Sequence, residues 1–189
     1  MHPTMVRANP MPLIDPIDRQ TAEAQGLGQV LEAFAEMGDD EGVFPRILAH
    51  APKYAEALGE AMAEAHLRGG VDHRLKEIMR IQLARSAQDP YFAGLRSRKA
   101  IAAGLTEEQI DAGSAISEGE FTPAERWALR YAYLMYRHPE QVDAAFYDEG
   151  KQHFTEAQIM ELGGMIAVHY GMQVFMRTPQ DGPATGSEA

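Results

Sequence analysis

Apolar residues recur at i, i+3 and i+4 along most of the chain from about Ala22 onward, and alternating β-branched runs do not occur. Leu27, Val30, Leu31 and Phe34 share one stripe and predict a helix over 18–37. The stretch "GDDEGVFPRILAHAP" (38–52) reads as a loop with one short helical turn. Pro52 opens the next helix and Gly69-Gly70 closes it. A third long helix spans 72–87 behind an Asp72 cap, and Asp89-Pro90 opens a fourth that runs to Gly104. Thr106 with Gln109 and Thr122 with Glu125 form capping boxes for two more. A short helix near 139–150 follows, and Thr155 caps a last long helix reaching about Arg177.

These elements predict a single all-α domain over 18–177. Four prolines, at 3, 10, 12 and 16, make residues 1–17 an extended lead-in, and the polar stretch 178–189 reads as a flexible tail. "GLTEEQI" (104–110) recurs as "HFTEAQI" (153–159), and "LKEIMRIQLAR" (75–85) pairs with "ERWALRYAYLMYR" (125–137). Both spacings are near 50 residues, which suggests a weak internal duplication of a helical hairpin.

Composition removes several classes of function. The 189 residues are 45% hydrophobic, enough for a real core. No cysteine is present, so disulfides, thiolate metal sites and thiol redox chemistry are out. A formal charge of −11 would repel a polyanion, so no nucleic-acid partner is expected. No apolar run approaches the ~18 residues that cross a bilayer, and the start lacks a signal-peptide pattern; no membrane partner and a cytoplasmic location are expected. The seven histidines show no HExxH or other ligand spacing, so no metal is expected.

Candidate chemistry collects on a few positions. Glu77 lies mid-helix with Arg80 one turn on, and Ile78, Met79, Ile81 and Leu83 make that helix apolar over most of its circumference. A carboxylate there needs a partner. Asp89 is first a helix cap. Tyr91 and Arg96 follow it, and Arg96 has the fork that suits a carboxylate. His169 continues the Leu162, Ile166, Gln173 stripe of the last helix and is the best placed proton carrier. His66 and His73 flank the Gly69-Gly70 turn and read as exposed. Gly163-Gly164 and Gly171 inside a helix suggest close approach of a neighbouring helix, including one from another subunit.

The order Leu75-x-Glu77-Ile78-x-Arg80, Gly94, then Ala103-Gly104-Leu105-Thr106-x-Glu108-x-Ile110 resembles the carboxymuconolactone decarboxylase family, which includes the AhpD-like alkylhydroperoxidases. "FTPAERWALRYAYLMYRHPEQV" and "HFTEAQIMELGGMIAVHYGM" extend the likeness over most of 55–176. The redox branch of that family carries Cys-x-x-Cys and a histidine where this chain has Asp89, Phe92 and Arg96; its working glutamate matches Glu77. Peroxide chemistry is therefore excluded. The resemblance implies an AhpD-like helical bundle, a trimer or hexamer, and a cofactor-independent lyase acting on a small carboxylated or lactone ring-cleavage product of aromatic catabolism. Glu77 and His169 would be catalytic, with Arg80, Asp89, Tyr91 and Arg96 binding substrate. An isomerase or hydrolase on a related acid, and a non-enzymatic binding or scaffold protein, are the alternatives.

Overall fold

The computed structural model describes residues 13–116 and 120–180, with side chains as far as Met176. The ends of the expected lead-in and tail, 1–12 and 181–189, lie outside the described residues. Among the described residues the fold is entirely helical, and no helix is long and apolar enough to cross a membrane.

The N-terminal stripe forms two helices, α1 (Arg19–Ala24) and α2 (Gly28–Glu36), rather than the single one predicted. The break falls at Gly26, whose φ of +88° is left-handed and opens a turn. The loop turn at 43–48 is α3 (Val43–Leu48), and Pro52 starts α4 (Pro52–Leu67). Then comes α5 (His73–Ala87), where the Asp72 carboxylate accepts from the Leu75 amide.

The predicted fourth helix is also two. Asp89 caps α6 (Pro90–Gly94), its carboxylate accepting from Phe92 N at 3.0 Å; Ser97 caps α7 (Arg98–Ala102). Between them Leu95 turns to an extended conformation. Helices α8 (Glu107–Ala115) and α9 (Pro123–Arg137) both begin with complete capping boxes. A 3₁₀ turn, Pro139–Gln141, and α10 (Ala144–Gly150) replace the single short helix expected at 139–150. Thr155 and Gln158 cap the 25-residue α11 (Glu156–Gln180) reciprocally, repeating the Thr106–Gln109 arrangement.

Helix α5 is central: α4, α6, α7, α8, α9 and α11 all pack on it. One apolar core gathers around Trp127, with Leu75, Ile78, Ile81, Leu162 and Ile166. A second joins Leu31, Phe34, Phe44, Met62, Phe92 and Met176. Along α11, the positions between Ile166 of the first core and Met176 of the second include His169 and Gln173, both fully buried. Polar side chains thus occupy a buried level of the bundle, where each polar atom left without a partner costs about 1–3 kcal/mol.

The helical glycines divide. Gly163 abuts the Tyr131 phenol, so close helix approach explains it, whereas a Cβ at Gly164 or Gly171 would meet nothing within 4 Å. Those two face open space on the described chain.

Candidate active site: a buried carboxylate, guanidinium and three imidazoles

Glu77 and Arg80 stand one turn apart on α5, and both are almost completely buried. Arg80 donates from Nε to Glu77 Oε2 and from Nη2 to Oε1, each at 2.8 Å, the bidentate geometry that suits a guanidinium. Its remaining bonds run to the last turn of α6 and the residue after it: Nη1 donates to the Phe92 carbonyl at 2.6 Å and Nη2 to the Leu95 carbonyl at 2.9 Å. Glu77 Oε1 also accepts from the Ser97 amide at 2.8 Å. The break in the predicted fourth helix is therefore what delivers two carbonyls and an amide to this pair.

Burial alone pushes the Glu77 carboxyl upward, but the Arg80 charge and hydrogen bonds, with His66 beside it, outweigh that and hold it well below its ordinary value of 4.5. Glu77 is an anion at any physiological pH. A carboxylate held that low is a weak base.

Three imidazoles close around it. His66 Nε2, on α4, lies 3.0 Å from Glu77 Oε2 but off the line of a straight hydrogen bond. The His66 ring meets the His73 ring edge-on at 4.9 Å and the His169 ring at 5.1 Å. His73 is fixed from both sides: Nδ1 is 3.0 Å from the His66 carbonyl and Nε2 is 2.7 Å from Ser97 Oγ. A carbonyl can only accept, so Nδ1 carries the proton and Ser97 donates its hydroxyl to Nε2. His169 has both nitrogens buried without a hydrogen-bond partner. Burial drives the pKa values of His66 and His169 down from 6.5, and that of His73 to about 4, so the three rings are neutral beside an ionised carboxylate.

The exposure expected for His66 and His73 is wrong: His66 is fully buried and His73 nearly so. The signal was present in the spacing. His66 extends the buried Gly59, Met62, Ala63 stripe of α4 by one turn, and the Gly69-Gly70 turn folds back onto Glu161 rather than into water. Gly69 is in the left-handed region at φ +91°, and Glu161 accepts from the Gly70 amide at 2.8 Å. Buried Lys76 then binds Glu161 at 2.9 Å together with the Arg68 and Ala65 carbonyls, which ties α4, α5 and α11 together.

The other expected residues are tied elsewhere. Asp89 is buried as the α6 cap. The Tyr91 hydroxyl accepts from the Phe44 amide at 3.2 Å, and burial together with neighbouring Asp39 pushes its pKa upward. Arg96 forks onto Glu107 at 2.7 and 3.0 Å and donates to the Ala93 and Leu95 carbonyls. Its side chain keeps 26% exposure, against 1% for Arg80. Leu95 O thus links the buried guanidinium to the surface one. Among the described residues, no group of three or more His, Asp or Glu is arranged to hold a metal ion.

Residues 51–133 match the Carboxymuconolactone decarboxylase family. The matched segment holds His66, His73, Glu77, Arg80, Asp89 and Arg96 but not His169. Among solved structures, the fold is similar to the debrominase Bmp8 in its apo form, with a TM-score of 0.69, 20% identity and coverage of 87% of this chain and 88% of that one. It is also similar to a cysteine-to-alanine variant of Bmp8 in complex with 2,3,4-tribromopyrrole, with a TM-score of 0.72, 18% identity and coverage of 90% and 92%. A search of curated proteins gave no match.

Proposed function

We propose that this protein is a cytoplasmic, cofactor-independent enzyme of the lyase or isomerase class that moves a proton on a small carboxylated or lactone substrate. The observation that carries the reading is His169: a fully buried imidazole, neutral, with neither nitrogen partnered, in ring contact with a second imidazole that abuts an ionised carboxylate. A buried polar group left unpaired costs about 1–3 kcal/mol, which makes sense if the group is kept for a substrate. His169 and His66 accept and return the proton. Glu77, pinned by Arg80, stabilises the imidazolium that forms and holds its orientation.

Substrate approaches past Leu95–Ser97, the segment whose polar groups cover Glu77, and Arg96 at its rim holds the carboxylate in exchange for exposed Glu107. Decarboxylation of a carboxylated lactone and isomerisation of a related acid both fit a neutral base beside a fixed anion. Bmp8 supports the fold and an enzymatic use of it; with no cysteine in this chain, the chemistry proposed is proton transfer.

The test is turnover of a panel of small lactones and conjugated dicarboxylic acids, with product mass separating loss of CO₂ from rearrangement. His169→Ala should abolish turnover, and Glu77→Gln should lower kcat. If an active substrate is processed equally well by both variants, the assignment fails. Assembly as a homo-oligomer through the outer face of α11 is part of the proposal. Met160 and Phe175 are exposed there at 63% and 43%, with open space at Gly164 and Gly171. Sedimentation of the Met160→Glu variant should show a smaller species than wild type, and an unchanged mass would remove that face from consideration.

A further inference from the structure

On α5, Gln82 and Ser86 point roughly 140–180° away from Glu77, at 100° per residue. There α5, α8 and α9 enclose a cleft of about 250 Å³. Its polar wall is a chain of hydrogen bonds. Gln82 Nε2 donates to the Ile110 carbonyl at 2.7 Å, Ser114 Oγ donates to Gln82 Oε1 at 2.7 Å, and Arg85 Nη1 donates to Ser114 Oγ at 3.1 Å. The guanidinium of Arg85 is thereby oriented from inside the protein.

On its outer side Arg85 pairs, among the described residues, with Asp111 at the rim at 2.7 Å, with side-chain exposures of 34% and 69%. An exposed pair of this kind contributes about 0–1 kcal/mol, so an incoming carboxylate can replace Asp111. The opposite wall is aromatic. Tyr136 is held by stacking on Tyr170 with ring centroids 4.1 Å apart, and Tyr133 is 47% exposed. A second guanidinium, Arg137, reaches the Ser86 carbonyl at the rim and lies 5.7 Å from the Tyr136 ring centroid. In a chain of net charge −11, this is a local concentration of cations beside ring faces.

We propose that this cleft binds a small aromatic carboxylate, with Arg85 taking the carboxylate and Tyr133 and Tyr136 the ring. The volume lies below the ~300–1,000 Å³ of drug-sized pockets, which limits the ligand to about one substituted ring. The proposal does not depend on the reaction assigned to the His66–Glu77–His169 cluster, which faces the other side of α5.

The experiment is titration of the full chain with benzoate, followed by calorimetry and ligand-observed NMR, with benzamide and acetate as controls. Benzoate should bind saturably at one site per chain. Benzamide, lacking the charge, and acetate, lacking the ring, should each bind at least about tenfold more weakly. Arg85→Gln should weaken benzoate about tenfold, Arg85→Lys by less, and Tyr133→Ala should also weaken it. Glu77→Gln should leave benzoate binding unchanged. Absence of saturable binding, or binding indifferent to both Arg85→Gln and Tyr133→Ala, overturns the proposal. Loss in Glu77→Gln with retention in Arg85→Gln overturns it too, by moving the ligand to the other site.

Discussion

Removal of the Glu77 carboxylate is the most informative single perturbation. In Glu77→Ala, Arg80 is left, among the described residues, with the Phe92 and Leu95 carbonyls around a guanidinium that is 1% exposed. The Ser97 amide loses its acceptor as well. Breaking a buried ion pair from one side costs about 3–5 kcal/mol, because the surviving charge stays desolvated. The stranded amide moves the value toward the upper end. For a domain of this size each kcal/mol is worth about 2–4 °C, so the midpoint should fall by about 6–20 °C. Urea unfolding followed by far-UV circular dichroism measures this, with an unchanged slope showing that the native state is still compact. The pair Glu77→Leu with Arg80→Met closes a double-mutant cycle, and its coupling energy should be about 2 kcal/mol or more in favour of the intact or the doubly replaced pair. A coupling near zero, or a Glu77→Ala loss below about 1 kcal/mol, would refute the view that these two groups form one buried unit.

Further outcomes follow from the same geometry. His169→Leu removes a buried polar group with no partner, so thermal stability should hold or rise while any turnover is lost; a marked drop in melting temperature would show that the imidazole is structural. Stability should fall as pH drops below 6.5. The unfolded chain binds protons at His66, His73 and His169 that the folded state refuses, and each contributes about 1.4 kcal/mol per pH unit until its lowered folded pKa is reached. Glu77 has the same sign and adds its loss only below about 4.5. Urea midpoints at pH 7.5, 6 and 5, assay conditions spanning roughly this window, would detect it, and a flat profile would contradict the neutral cluster. Gly150→Ala drives a Cβ to 2.3 Å from the Trp127 ring and should cost about 1–3 kcal/mol, read as a lower thermal midpoint.

Much of this architecture is legible in the sequence, and for a local reason. Asp72, Asp89, Thr106, Thr122 and Thr155 cap helices through hydrogen bonds that span three residues, so the short-range pattern suffices to find them. The Glu77–Arg80 pairing is of the same kind, one helical turn apart. The break at Gly26 rests on a residue the pattern shows, whereas the one at Leu95–Ser97 was not legible, because a single glycine in "AGLRSRKA" costs a helix only about 1 kcal/mol. Tertiary demand decided there: buried Glu77 and Arg80 needed an amide and two carbonyls, and only an unwound segment can offer them. The convergence of His66 from α4, His73 and Glu77 from α5, Ser97 before α7 and His169 from α11 depends on residues up to about a hundred positions apart. Periodicity says which face of a helix is turned inward, but not which polar group on another helix it will meet there.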